Sequence, residues 1–279
     1  MLWRCRTRTF DLSRRTLVMG IVNVTPDSFS DGGRFLDPDL AVAHASRMVA
    51  DGVDIVDVGG ESTRPGAEPI TIEEERRRVV AVIERIAAEH PRLAISIDTR
   101  KPEVAAAALE AGACIVNDVS AGRTPEMFEV AREAGAGIVL MHMLGDPKTM
   151  QEAPHYDDVV AEVKEFLRER IESAEFAGLD PQALCIDPGI GFGKNLEHNL
   201  ALLQRLDALA DLGRPVLVGP SRKRFIGAIL DLPEGERVEG TAGAVAWAVT
   251  RGAHIVRVHD VKEIVRVVRV VDAIARAEV

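Results

Sequence analysis

The chain has 279 residues, is 47% hydrophobic and carries a formal net charge of −10 at neutral pH, with three scattered cysteines. Nothing of about 18 consecutive apolar residues is available to span a bilayer, and the basic start Trp3-Arg4-Cys5-Arg6-Thr7-Arg8 lacks the apolar stretch of a secretory leader. No basic stripe suits nucleic acid, and the odd cysteines Cys5, Cys114 and Cys185 read as reduced thiols of a cytoplasmic protein, with Cys114 and Cys185 buried at the starts of apolar strands.

Residues 1–15 precede the first long apolar run and are expected to form a hairpin that plugs the floor of the fold. Strand 16–24 follows and delivers Asn23; a helix over 38–51 opens on Asp37-Pro38, a cap with proline at the first turn. Strand 54–59 leads to Glu61-Ser62-Thr63-Arg64, and helix 72–89 starts at Thr71 with Glu74 in capping-box position and stops at His90-Pro91. Strand 94–97 ends in Asp98 before an alanine-rich helix over 102–111. Strand 114–116 ends in Asn117-Asp118 before a helix over 125–134, and strand 137–141 ends in Met141-His142 before the long helix 157–177. Strand 183–186 ends in Asp187 before helix 195–211. Strand 215–218 meets Ser221-Arg222-Lys223, a short extra helix over 222–230 and the main helix 239–251. Strand 254–258 carries Arg257 towards His259, and helix 261–277 closes the chain.

Eight strand–helix alternations imply a parallel sheet. A doubly wound open sheet would concentrate its site at one switch point and commonly show G-x-G-x-x-G after its first strand. Here that motif is missing, and polar groups follow nearly every strand. The expectation is therefore a single (β/α)8 TIM barrel spanning 1–279, with an N-terminal hairpin and an extra helix after the seventh strand. In such a barrel all strand ends open onto one mouth.

Asp98, Asn117 and Asp187 are the centre of the functional reading. Each ends an apolar strand, where an unsatisfied carboxylate or amide is costly. Together they suit the N–H-rich edge of a flat ligand, because a carboxylate accepts two parallel hydrogen bonds. They make a poor zinc set without a His/Cys cluster. Cations for an anionic ligand come from Arg64, Lys101, Lys223, Arg257 and His259, against the global charge. Asp187-Pro188-Gly189-Ile190-Gly191-Phe192-Gly193-Lys194 lacks the order of a P-loop, and its glycines instead permit sharp turns close to a ligand. Period-2 alternation puts Arg257 and His259 on one face, the barrel interior. Met141, Met143 and Met150 supply apolar wall, and His142 receives no role.

These motifs, with Gly20-Ile21-Val22-Asn23-Val24-Thr25-Pro26-Asp27-Ser28-Phe29-Ser30-Asp31-Gly32-Gly33, Ser62-Thr63-Arg64-Pro65-Gly66 and Ser221-Arg222-Lys223, resemble those of the dihydropteroate synthases. The resemblance covers roughly residues 16–279. One departure is Leu144, where the family more often has a polar residue. The resemblance implies condensation of 6-hydroxymethyl-7,8-dihydropterin pyrophosphate with 4-aminobenzoate, Mg2+ accompanying the leaving pyrophosphate, in a sulfonamide-sensitive step of folate biosynthesis. It implies catalytic roles for Asp98, Asp187 and Lys223. Asp187 and Asn117 hold the aminopyrimidine edge, Asp98 faces the ring nitrogens, Lys223 takes the ring carbonyl oxygen, Met141 contributes to the pocket and Arg257 stacks on the pterin. Asn23, as metal ligand, joins Arg64, Arg257 and His259 around pyrophosphate. Thr63, Phe192, Lys223 and Ser221 receive aminobenzoate, and the loops 25–37 and 62–70 close over both substrates. A homodimer is implied too, using the apolar surplus of the last helix.

Overall fold

A computed structural model describes residues 1–25, 38–62, 67–146 and 149–277. Asp37, Thr63, Arg64 and, of the two closing loops, residues 26–37 and 63–66 lie outside the described residues.

A two-stranded antiparallel hairpin, β1 (Leu2–Cys5) and β2 (Arg8–Asp11), comes first. The parallel strands are β3 (Leu17–Asn23), β4 (Ile55–Gly59), β5 (Ala94–Asp98), β6 (Ile115–Asp118), β7 (Gly137–Met141), β8 (Leu184–Asp187), β9 (Leu217–Val218) and β10 (Ile255–Val258). Their order is β8-β7-β6-β5-β4-β3-β10-β9. A parallel bridge between Ile186 and Val216, with Ile186 N–H donating to Pro215 O at 2.9 Å, brings the two ends together as a barrel. The surrounding helices are α1 (Pro38–Asp51), α2 (Ile72–Glu89), α3 (Pro102–Glu110), α4 (Glu126–Ala134), α5 (Val159–Phe176), α6 (Leu196–Gln204), α7 (Arg224–Leu230), α8 (Val238–Thr250) and α9 (Val261–Ala275).

Strand alternation sorts the side chains into two apolar bodies. Val18, Val22, Val56, Val58, Ile95, Ile97, Ile138 and Leu140 face outwards and pack with the helices. Leu17, Met19, Ile55, Ala94, Ile115, Val139, Cys185, Leu217 and Ile255 fill the lower barrel interior with Trp3 and Cys5 of the hairpin. The expected plug is therefore in place. Trp3 is fully buried and its indole N–H donates to Ala183 O at 3.0 Å, while Arg6 reaches Leu109 O and Ala113 O at 2.6 and 2.9 Å. All three cysteines are buried and free.

Three local expectations change. Thr71 Oγ1 accepts from Glu74 N–H at 3.2 Å, but Glu74 does not return the bond; its carboxylate is held by Arg77 and Arg78, so only half a capping box forms. The segment 195–211 is not one helix. Residues Leu206–Leu212 tighten into a 3-10 helix, whose three-residue period keeps Leu206 and Leu209 buried on one side. Helix α7 starts at Arg224, because Arg222 is left-handed at φ 58° and cannot join it. Ser221 is accordingly not its cap.

Candidate active site

Above the apolar floor the barrel interior turns polar. Asn23, Gly59, Asp98 and Asn117 lie side by side in the strand register, at the carboxyl ends of β3 to β6. The Cα of Gly59 faces the same pocket, where a Cβ would lie 3.4 Å from Asp98 Cβ and 3.8 Å from Asn23 Oδ1, at ordinary contact distance. Asp57, two residues before Gly59 on the same face, is fully buried. It accepts from Asn117 Nδ2 at 2.9 Å and from Arg257 Nε at 2.6 Å. Arg257 Nη2 donates to Asp98 Oδ2 at 2.6 Å, so one guanidinium spans two carboxylates.

This layer is incompletely satisfied. Asp57 Oδ1 and Asp98 Oδ1 are buried and have no hydrogen-bond partner among the described residues, a condition that calls for a donor from elsewhere. Burial raises Asp98 well above the ordinary carboxylate range; Arg257 opposes that shift and Asp57 reinforces it. Asp187 is also raised by burial, against the pull of the Gly189 N–H, which it accepts at 2.7 Å, and of Lys223 and Arg257. Arg257 is held above its usual value, since Asp57 and Asp98 outweigh the effect of its burial.

The wall after β8 is built by side chains gripping backbone. Gly189, Gly191 and Gly193 are left-handed, at φ 67°, 85° and 63°. A Cβ on Gly189 would overlap the His142 carbonyl, and one on Gly193 would meet Leu144. Gln151 donates to Gly191 O at 2.6 Å, Tyr156 to Gly193 O at 2.8 Å and Lys194 to Phe192 O at 2.9 Å. Gly191 N–H donates to Asn199 Oδ1 at 2.7 Å. The loop carries the Phe192 ring, with Lys223 Nζ 4.2 Å from its centroid. Burial and Arg257 lower the Lys223 amine, while Asp187 and Asp98 raise it. Met141, Met143, Met150 and Val119 pack with Phe192 as a small apolar cluster.

On the far side, Ser221 Oγ lies 3.1 Å from His259 Nδ1 and accepts from His259 N–H at 3.2 Å. Arg222 ties this segment down through an ion pair with Asp260, while its N–H donates to Thr241 Oγ1 at 3.1 Å. Burial, with Arg257 and Arg222 nearby, lowers His259 to about 3, so its imidazole is neutral.

A cavity of about 920 Å³ joins these parts, and its walls include Asn23, Asp98, Phe192, Ser221, Lys223, Arg257 and His259. Asn117, Met141 and Asp187 are buried outside that lining. Asn117 connects to the mouth through Asp57 and Arg257, while Asp187 is bonded to Gly189 N–H and feels the charges of Lys223 and Arg257. The strand-end groups thus converge, with Arg257 at their centre. Lys101 is not a ligand cation: Glu61, Glu75 and Ile70 O hold its amine at 2.8, 2.6 and 2.7 Å. Sequence reasoning missed Asp57 and gave Lys194 no specific role. The signal for Asp57 was an isolated carboxylate inside an apolar strand.

The fold and this mouth define a barrel enzyme with a pocket lined by buried carboxylate, amide and cationic side chains. Residues 19–259 match the model of the pterin binding enzyme family. The dihydropteroate synthase of Escherichia coli K12 is 51% identical over 261 residues, covering 94% of this chain and 92% of that protein. A Yersinia pestis dihydropteroate synthase in a sulfonamide drug complex superposes with a TM-score of 0.94 at 44% identity, covering 99% of this chain and all of that one. A Xanthomonas albilineans dihydropteroate synthase with 4-aminobenzoic acid gives 0.92 at 49% identity, with both chains fully covered. The chain belongs to the pterin binding enzyme family, among its dihydropteroate synthases.

Proposed function

We propose that this chain, acting as one pterin-binding domain, joins a dihydropterin bearing a CH2-pyrophosphate to 4-aminobenzoate. The C–O bond to pyrophosphate breaks, the aryl amine forms the new C–N bond, and the amine proton passes to solvent. The observation that carries this reading is the pair of buried carboxylates with orphaned oxygens, Asp57 and Asp98, clasped by Arg257. An aminopyrimidine edge supplies the missing donors. Those donors favour an ionised carboxylate, so ligand binding opposes the upward shift of Asp98, while Gly189 N–H, Lys223 and Arg257 already oppose that of Asp187. Once ionised, these groups stabilise the pterin-conjugated cation that forms as pyrophosphate leaves. Asn117 shares the pterin edge and Lys223 takes the ring carbonyl oxygen. Arg257 covers the ring, and Met141 closes the apolar side. Ser221 and Lys223 receive the aminobenzoate carboxylate while Phe192 lies along its ring. Thr63, Arg64 and His259 serve the anionic ends.

Mg2+ fits this site in one specific way. No group of three potential metal-ligating carboxylates, histidines or cysteines occurs among the described residues. Mg2+ commonly takes one or two protein oxygens and completes its shell with phosphate and water. Asn23 Oδ1 at the mouth is such an oxygen, and the ion would supply charge neutralisation of the leaving pyrophosphate. The exposed Val270 and Ile274 of α9 support a homodimer through this face. A cytoplasmic location suits the buried free thiols, and no helix among the described residues is long and apolar enough to cross a membrane. The likeness to the sulfonamide-bound Yersinia protein supports sulfonamides as competitors of aminobenzoate.

The test is incubation with both substrates, with and without Mg2+, scored for pyrophosphate and dihydropteroate. Stoichiometric formation of both products is expected only with Mg2+. Pterin binding without pyrophosphate release, whatever the metal, would refute the reading.

A further inference from the structure

Resting on that reading, we propose that Lys194 is a positioning residue for the second substrate, whose amine braces the Phe192 loop and acts on aminobenzoate through that ring. Lys194 is only 3% exposed. Its Nζ donates to Phe192 O at 2.9 Å and lies 2.9 Å from His142 Nδ1. No carboxylate bonds it among the described residues. Burying an amine without a counter-ion is costly; a chain needing only to fill the space would place Met or Leu there. The two acceptors show what the amine achieves. Phe192 O belongs to the glycine loop after β8, and His142 follows β7, so Lys194 pins the loop to the neighbouring strand end.

The histidine is suited to accepting. Burial and the adjacent Lys194 lower His142 to about 2, which keeps its imidazole neutral; with Lys194 Nζ donating, Nδ1 accepts and the ring proton sits on Nε2. Burial draws Lys194 itself down to about 7, with Asp187 pulling the other way. Either protonation state retains N–H groups for both bonds. The carbonyls on each side of Phe192 have their own donors, Gln151 to Gly191 O and Tyr156 to Gly193 O. Removing Lys194 therefore frees the Phe192 carbonyl, while Phe192 N–H stays on Gly189 O at 3.0 Å and the neighbouring carbonyls stay fixed. The ring loses its set angle over Lys223, whereas the Asp57–Arg257–Asp98 cradle, on other strands, is untouched.

The test is Lys194→Met, with Lys194→Gln as the variant that keeps a neutral donor. Four quantities are measured: pterin Kd by fluorescence, KM for aminobenzoate, kcat and thermal midpoint. The expected result is an aminobenzoate KM raised about tenfold, the factor matching one lost buried hydrogen bond. Pterin Kd should change less than about threefold, and Lys194→Gln should recover part of the loss. A double-mutant cycle with Phe192→Leu should show that Lys194→Met adds little once the ring is gone. An unchanged KM, parallel losses in KM and pterin Kd, or full additivity with Phe192→Leu would each overturn the assignment. If wild-type protein forms no product, the functional reading fails instead.

Discussion

Replacing Arg257 by Met should destabilise the ligand-free protein in a strongly pH-dependent way. The wild-type guanidinium sits between Asp57 and Asp98, at 2.6 Å from an oxygen of each, with Asp57 fully buried and the Asp98 side chain 8% exposed. Methionine keeps the stem's apolar packing and removes only the charge and its donors. Removing one partner of a buried ion pair costs about 3–5 kcal/mol, because the remaining charge is uncompensated. Protonation offers an escape. Asp98 already binds its proton more tightly than an ordinary carboxylate because of burial, and Arg257 is the main influence opposing this. Without Arg257 the proton is held more tightly still. A group whose folded-state pKa is raised contributes stability below its unfolded value and loses it as pH rises through the folded one. The penalty should therefore be full at about pH 8 and fall by half or more at about pH 5.5. Urea unfolding of both proteins at the two pH values measures it. An equal loss at both, or a loss below about 1 kcal/mol at the higher pH, would show that the pair is not the charged clasp described.

Asp187→Asn should lower turnover by about 10²–10³ without loss of thermal stability, since burial already disfavours the ionised carboxylate; wild-type turnover would remove its catalytic role. Gly189→Ala forces a left-handed alanine into the His142 carbonyl, so a loss of at least about 2 kcal/mol is expected in chemical denaturation; a neutral result would mean the wall is adaptable. Trp3→Ala should cost about 3–5 kcal/mol while leaving pterin Kd within about threefold, since Trp3 sits on the barrel floor; a matching collapse of pterin binding would show that floor and mouth are coupled.

Legibility in the sequence followed the position of each polar group along its strand. Asp98, Asn117 and Asp187 stood out because each interrupts an apolar run at its end, and the barrel could be inferred from the repetition of that event. Asp57 was hidden because Val56 and Val58 flank it. Only the knowledge that those valines face the helices turns the carboxylate inwards. Lys194 was obscured by the glycines before it, which drew attention to backbone turns. Its partners lie 52 and two residues away, and spacing alone links neither. The break after Gln204 and the late start of α7 depend on how Leu206, Leu209 and Arg222 pack or pair across the chain. Roles for Thr63 and Arg64 rest on family likeness.

The glycine wall after β8 has a consequence for inhibitors. Its carbonyls and amides are claimed by Gln151, Tyr156, Lys194 and Asn199 of the chain itself. A flat aryl compound arriving there meets a surface that was ordered when the chain folded, so little further entropy is lost on its side of the contact. Compounds directed at this face should gain affinity chiefly by matching a fixed contour, and rigid aryl groups should outperform flexible ones of equal area.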